Sequence, residues 1–136
     1  MAGAATSEGP VLPVIAEPEL EIRTVPEIGT AEGDWLCAWC LSCVANERDR
    51  FSYEGQDEFA FSNPQGIHFE IITFSKTLGC RQAGLPTFEH TWFPGHAWSH
   101  CLCDGCGQHL GWYFAGQHSF AGLIKNRIVR ALTIRN

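Results

Sequence analysis

The sequence predicts a single, mainly β domain in which a metal bound to cysteines joins distant parts of the chain. Short runs of alternating residues, separated by turns rich in glycine and proline, are typical of antiparallel strands. Two C-x-x-C turns, one early and one late in this region, suit a four-thiolate metal site. With 136 residues, 45% of them hydrophobic, the chain can form one modest core but not two ordinary domains.

The charge of the chain argues against nucleic acid and membrane partners. Its formal net charge is -6, whereas binding to phosphate backbones draws most of its energy from clustered Lys and Arg. No apolar run approaches the roughly 20 residues of a membrane-spanning helix, and the N-terminus lacks the features of a secretory signal. We therefore expect an intracellular protein, in the cytoplasm or the nucleus. In that reducing environment, the seven cysteines suggest metal binding rather than disulfides.

Residues 1–34 are predicted to be an acidic, proline-rich tail that is mostly extended. They contain four prolines, acidic residues that far outnumber the single base Arg23, and no aromatic residue. The apolar patch 11–15 could add an edge strand or dock on a partner, but the composition favours an extended segment. The β domain is expected to occupy residues 35–136.

This domain opens with WLCAWCLSC, which contains the first cysteine turn. Cys37, Cys40 and Cys43 form two overlapping C-x-x-C pairs, and only one pair can bind a tetrahedral metal together with the downstream pair. Spacing alone does not choose between them. The interval to the downstream pair is much longer than the roughly 15–20 residues of a zinc ribbon, so the metal is expected to join the two ends of the domain.

A β-hairpin is predicted next. Phe59 and Phe61 alternate with small residues, residues 63–66 form a turn, and residues 67–74 alternate again. The second strand carries β-branched and aromatic residues on both faces, so we expect it to be covered on both sides.

The segment 78–86 is predicted to be turn-rich, because it contains two glycines and ends in a proline. Cys80, within it, is expected to be a buried small hydrophobe. Residues 87–92 are predicted to be extended, and Phe93-Pro94-Gly95 to be a tight turn.

Three strands are predicted in the remainder, at Ala97–Leu102, His109–Phe114 and Phe120–Ile124. Between the first two, Cys103–Gly107 reads as a knuckle, since glycines let amide groups fold around a thiolate-bound metal. Beyond Lys125 the pattern fits either a strand end or a short helical turn.

The two cysteine turns favour one structural zinc ion. Zinc takes four sulfur ligands in a tetrahedron, and four thiolates leave no open position for catalysis. In the downstream turn Cys103 is a better ligand than Cys101, because it is the one with C-x-x-C spacing to Cys106.

Three tryptophans flank the knuckle. On spacing alone, Trp92, Trp98 and Trp112 are somewhat more typical of core packing than of a ligand site. Trp92 and Trp98 nevertheless bracket a turn, which exposes backbone amides. Three indoles around one small volume would form the apolar box expected of a small-molecule pocket.

These residues carry a resemblance to a known family. The motifs E-H-T-W-F-P-G-H-A-W, C-x-x-C-G-x-H-L-G-W-Y-F and F-A-G-L-I, preceded by C-x-x-C and F-S-N-P-Q-G, are similar to those of the cereblon thalidomide-binding domain, or CULT domain. The match runs from about Trp35 to about Arg130. The resemblance implies a β-tent of two antiparallel sheets that meet at a steep angle and are pinned by a four-cysteine zinc site. The zinc ligands that it implies are Cys37, Cys40, Cys103 and Cys106.

The resemblance also implies a pocket for glutarimide or another cyclic imide. The three indoles would form its walls and Phe114 its base, with Asn63 at the rim. The His90 carbonyl would accept the imide N–H, the Trp92 amide would donate to a ring carbonyl, and the His90 side chain would reach the ring. The implied ligand-binding residues are Asn63, Glu89, His90, Thr91, Trp92, Trp98, Trp112 and Phe114.

The function that follows is capture of cyclic imides without turnover. The expected ligands are thalidomide-type drugs, protein C-termini cyclised to an imide, and uracil-like metabolites. Gln65 and Phe69 stand where relatives tend to have histidines, so contacts to the outer part of a ligand should differ. Cereblon also has a Lon-like domain and a helical segment that joins a cullin-RING ubiquitin ligase. Neither fits in residues 1–34, so a substrate-receptor role is expected only within a longer protein.

Two other functions are considered. B-type methionine sulfoxide reductases have a similar β fold with two C-x-x-C turns, but they need a nucleophilic thiol near the C-terminus, and no cysteine follows Cys106. An aromatic cage could instead bind methylated lysine. The remaining histidines are expected to have surface or packing roles; they are His68, His96, His100, His109 and His118.

Overall fold

The computed structural model describes residues 33–131, so residues 1–32 of the predicted tail lie outside the described residues. The described chain is mainly β, with two single-turn 3-10 helices at Glu47–Asp49 and Lys125–Arg127. No helix within this part is long and apolar enough to cross a membrane. The strands are β1 Asp34–Cys37, β2 Cys43–Asn46, β3 Glu58–Ser62, β4 His68–Phe74, β5 Cys80–Thr87, β6 Ala97–Cys103, β7 His109–Ala115, β8 Ser119–Ile124 and β9 Ile128–Arg130.

The strands form two antiparallel sheets. The small sheet has the order β2-β1-β9 and the large sheet the order β3-β4-β8-β7-β6-β5. In the small sheet Leu36 lies opposite Val129, which brings the end of the domain beside its beginning. The chain beyond Lys125 therefore forms first a helical turn and then a strand, so both of the alternatives left open are present. Two antiparallel sheets and a cluster of four cysteines confirm the predicted fold class.

The predicted hairpin is confirmed as β3 and β4, in which Phe61 lies opposite Phe69. Asn63 fixes its turn, because its Oδ1 accepts hydrogen bonds from the amides of Gln65 at 3.0 Å and Ile67 at 2.9 Å. β4 is buried on both faces only from Ile71 to Phe74, the part of the strand that pairs with β8.

Two local predictions are wrong. The segment 78–86 is mostly strand, β5, rather than turn. It lies at the edge of the sheet and pairs only with β6, and Pro86 falls in a register irregularity, so the missing amide costs little. Most of its side chains are exposed, so no apolar period marks it. The segment 87–92 is not extended throughout: the Thr91 amide donates to the Phe88 carbonyl at 3.2 Å, and His90 has a φ of 58°.

The turn after this segment forms as predicted. The His96 amide donates to the Phe93 carbonyl at 3.0 Å, and Gly95 has a φ of +81°. Proline followed by glycine at the two central positions is the pattern of a type II turn.

Alternation along the central strands gives the large sheet two buried faces. We call the first the thiol face; it packs against the small sheet and contains Ile72, Phe74, Cys101, Cys103, Leu110 and Leu123. We call the second the aromatic face; its buried residues are Ile71, Phe93, Trp112, Phe114, Phe120 and Ile124. The candidate metal centre lies on the first face and the candidate pocket on the second.

Candidate functional site

Four cysteine sulfurs lie close together where the two sheets meet. The Sγ atoms of Cys37, Cys40, Cys103 and Cys106 are all within 4.8 Å of one another. The separations Cys37–Cys106 and Cys40–Cys103 are both 3.6 Å, too long for a disulfide. Four sulfurs at about 2.3 Å from a tetrahedral ion lie about 3.8 Å apart, so the spacing fits a metal such as zinc.

The surroundings of this cluster also suit thiolates. The Trp39 amide points to the Cys37 sulfur at 3.4 Å, and the Gly105 amide points to the Cys103 sulfur at 3.3 Å. A Cβ atom at Gly105 would lie 3.2 Å from the Cys40 sulfur, so glycine permits the close turn.

Two thiols of the cluster have opposed pKa shifts. Hydrogen bonds from Cys37 and then Cys40 lower the pKa of Cys103, whereas the hydrogen bond with Cys103 raises the pKa of Cys37. A bound divalent cation would favour the thiolate form of each cysteine that it contacts.

The other three cysteines lie outside this cluster. Cys43 is exposed as a residue, but its sulfur is partly desolvated, and this, followed by the charge of Asp34, raises its pKa to about 11. Cys101 is fully buried, whereas Cys80, which was predicted to be buried, is only half-buried against the thiol face. The choice between the overlapping pairs, which spacing left open, therefore falls on Cys37 and Cys40.

An open cavity of about 280 Å³ lies on the aromatic face. Its size is at the lower end for small-molecule sites, and it suits a single ring better than a large drug. No lining residue among those described carries a carboxylate or an ammonium group. Six predicted site residues line it, namely Asn63, His90, Trp92, Trp98, Trp112 and Phe114.

The three indoles are held by different contacts. Trp92 and Trp112 meet edge to face, with ring centres 4.9 Å apart at 77°, and Phe61 stacks on Trp92 at 4.9 Å. Trp98 packs instead against His100 at 5.5 Å, on another side of the cavity. The Trp92 indole N–H donates to the Ser62 carbonyl at 3.2 Å, and that of Trp98 to the Glu89 carbonyl at 2.7 Å. The N–H groups of Trp92 and Trp98 are therefore engaged, so these two residues offer a ligand their ring faces rather than their N–H groups.

The remaining two predicted residues do not line the cavity. The Glu89 side chain is exposed, and its backbone carbonyl anchors Trp98. Thr91 Oγ1 donates to the His96 carbonyl at 2.7 Å, which ties the turn to the start of β6. Both residues therefore support the wall of the cavity through these hydrogen bonds without lining it.

Five further residues line the cavity: Pro64, Gln65, Phe69, His100 and His109. The resemblance placed Gln65 and Phe69 near the outer part of a ligand, whereas the sequence did not assign the other three to the site. The prediction of mere packing or surface roles for His100 and His109 is therefore incomplete. His100 follows Trp98 by two positions in β6 and lies opposite Trp112 in β7, so the period of two could have identified it.

His109 has no such signal, because a β-bulge places it. Cys101 lies opposite Gly111 but Leu102 lies opposite His109, which leaves Leu110 as an extra residue in β7. Leu110 then joins the thiol face, and His109 lines the cavity.

The His109 imidazole is neutral at ordinary pH. Burial, followed by the charge of Arg127, lowers its pKa to about 4. Its Nε2 lies 2.8 Å from the Gly111 carbonyl, which can only accept, so Nε2 carries the proton. The Nδ1 atom is consequently a hydrogen-bond acceptor.

Comparison with known proteins identifies relatives of one kind. The chain is 44% identical over 55 residues to protein cereblon of Gallus gallus, and the aligned part covers 40% of this chain and 12% of that protein. It is 32% identical over 96 residues to protein cereblon of Drosophila erecta, and the aligned part covers 68% of this chain and 16% of that protein. The chain thus spans only a small part of these relatives. No family model matches it.

Proposed function

We propose that this chain, which contains a cereblon-like domain, is a zinc-stabilised module that binds cyclic imides and does not turn them over. The observation that carries the proposal is a small cavity walled by three indoles beside an unpaired stretch of backbone. An imide ring has an apolar body and one polar edge, and the cavity offers a matching partner to each.

The backbone near His90 is the partner for the polar edge. In the described part of the chain, neither the His90 carbonyl nor the Trp92 amide has a hydrogen-bond partner. A glutarimide presents an acceptor, a donor and an acceptor along one edge. The carbonyl would accept the imide N–H and the amide would donate to one ring carbonyl, which supports the proposed orientation.

The indole faces are the partners for the ring methylenes. The faces of Trp92, Trp98 and Trp112 can cover both sides of a flat ring, and Phe114, which is almost fully buried, closes the base. The neutral His109 adds an acceptor without adding charge. All of these features favour an uncharged ligand.

A methylated lysine is the second candidate for an aromatic cavity of this kind. Such cages bind a cation, whereas the lining described here has no carboxylate to balance a positive charge. A thiol-dependent reductase is less well supported, since none of the described cysteines lines the cavity. The imide therefore fits the chemistry of the lining best.

The metal is proposed to be one zinc ion with a structural role. Cys37 ends β1 and Cys40 follows it, while Cys103 ends β6 and Cys106 follows it, so the ion would connect the two sheets. When bound, it would hold four thiolates at fixed positions. Reduced thiolates of this kind fit an intracellular location, in the cytoplasm or the nucleus.

The natural ligand is proposed to be a cyclised protein C-terminus or a uracil-like metabolite. Thalidomide-type drugs would use the same cavity through their glutarimide. Substrate reception for a cullin-RING ligase would additionally require segments that bind an adaptor, and the described domain would contribute ligand capture.

A matched pair of ligands tests the proposal. Bare glutarimide should bind saturably, as followed by tryptophan fluorescence and thermal shift, whereas N-methylglutarimide, which lacks the donor, should bind at least about tenfold more weakly. Equal affinities, or no binding of glutarimide, would refute the proposal. Saturable binding of a trimethyllysine peptide alone would favour the methyl-lysine function instead.

A further inference from the structure

A second groove adjoins the imide cavity. It has a volume of about 580 Å³ and is lined by Ile67, His68, Phe69 and Glu70 from the start of β4, and by residues 124–127. Phe69 lines both the cavity and the groove. A ligand that extends beyond the cavity across Phe69 would therefore enter this groove.

One wall of the groove is an open strand edge. β8 pairs with β4 only from Ile71, opposite Ile124, so His68–Glu70 pair with β3 alone. The chain leaves β8 at Ile124 for the turn at Lys125–Arg127, and the groove lies between this turn and the start of β4. Within the described chain, the backbone groups of His68–Glu70 that point away from β3 have no strand partner, and an extended peptide can bond to such groups.

The other wall carries a cation without an anion. Arg127 is half-buried, and its Nη1 donates to the His109 carbonyl at 2.8 Å. No carboxylate of the described residues, including Glu70 in the same groove, lies within 4.0 Å of it. The half-buried Arg50, by contrast, contacts three carboxylates.

A half-buried arginine lowers the stability of the fold unless an anion pairs with it. Partial burial weakens the hydration of a charge, and here it lowers the pKa of Arg127. The chain has an excess of acidic residues, with a formal net charge of -6, yet the described part places none against this guanidinium. The nearby Lys125 is already paired with Glu58 at 3.2 Å. Arg127 is thus the cation of the groove that is available to a ligand.

We propose that the groove binds the extended segment that precedes an imide-tipped peptide C-terminus, and that Arg127 selects a carboxylate in that segment. The inference rests on the proposed function, because the imide in the cavity places the segment against β4. The ligand class is then acidic peptides that end in a cyclic imide, rather than imide rings in general.

The test uses short acetylated peptides that end in aminoglutarimide. The neutral probe has alanine at the three preceding positions, and three further probes carry aspartate at one position each. At least one aspartate probe should bind about five- to tenfold more tightly than the neutral probe at low ionic strength, and this preference should shrink at high salt.

The preference is measured as a ratio within each variant, so that any general change in imide affinity cancels. It should disappear in Arg127→Gln, return at least in part in Arg127→Lys, and persist in the control Arg48→Gln, since Arg48 is exposed and away from the groove. Binding of the neutral probe with no aspartate preference, or a preference that survives Arg127→Gln, would overturn this inference alone. Failure of the neutral probe to bind while bare glutarimide binds would also overturn this inference alone, whereas failure of bare glutarimide to bind would overturn the proposed function as well.

Discussion

The thiol face and the aromatic face belong to the same strands but are built for different purposes. On the thiol face, apolar side chains such as Leu110 and Phe74 are fully buried, and four sulfurs gather at one end. On the aromatic face, the rings of Trp92, Trp98 and Phe69 are only half-buried, and a cavity remains between them. The difference indicates that the thiol face contributes stability through close packing. The aromatic face is packed less closely, which leaves space for a ligand.

The largest effect is expected from disrupting the cysteine cluster on the thiol face. Cys106→Ser, or removal of the metal with a chelator, should lower the melting temperature by at least about 15 °C, because a structural metal site supplies several kcal/mol of folding free energy. Differential scanning calorimetry measures the change. The matched control is Cys43→Ser, which removes an exposed thiol outside the cluster and should change the melting temperature little. An unchanged melting curve after verified metal removal would contradict the structural role.

An intermediate effect is expected from a substitution that removes part of the cavity on the aromatic face but leaves the fold intact. Trp98→Ala should weaken glutarimide binding at least about tenfold, because it removes one wall of the cavity. It should destabilise the domain less than Trp112→Ala does, since Trp112 is only 9% exposed and packs against three rings, those of Phe69, Trp92 and His109.

Isothermal titration and thermal unfolding of both variants measure the two effects. Trp39→Ala is the control, because it removes an indole that is 53% exposed and remote from the cavity. Unchanged glutarimide affinity in Trp98→Ala would show that the cavity is not the imide site.

The smallest expected effect concerns His109, which the bulge turns toward the cavity. Its folded-state pKa of about 4 lies below the ordinary value of 6.5, so the unfolded chain binds the extra proton first. The stability that the neutral imidazole contributes is complete above pH 6.5 and is lost as the pH falls through about 4. An NMR titration, with the resonance assigned by its loss in His109→Gln, should give this midpoint and an Nε2–H tautomer. A midpoint near 6.5 would contradict the burial described here.

Much of the fold followed from local pattern. The hairpin of β3 and β4, the proline-glycine turn before β6 and the knuckle after it were all predicted, because a period of two and turn chemistry are properties of neighbouring residues. β5 was missed for a related reason. As an exposed edge strand it needs no apolar period, and Gly84 and Pro86 are tolerated where it leaves register with β6.

The candidate site divides in the same way. The three tryptophans and the two C-x-x-C turns were visible in the sequence. Their residue types alone predict metal binding by thiolates and a ligand enclosed by aromatic rings. Spacing left open which of the overlapping cysteine pairs joins the cluster, and the structure agrees with the pair that the family resemblance implied. Only the tertiary structure decided that His109 lines the cavity and that Arg127 lines the same groove as Phe69 without a carboxylate partner among the described residues. These outcomes depend on strand register and on a single bulge, which are fixed by pairing between residues distant in the chain and therefore leave no local signal.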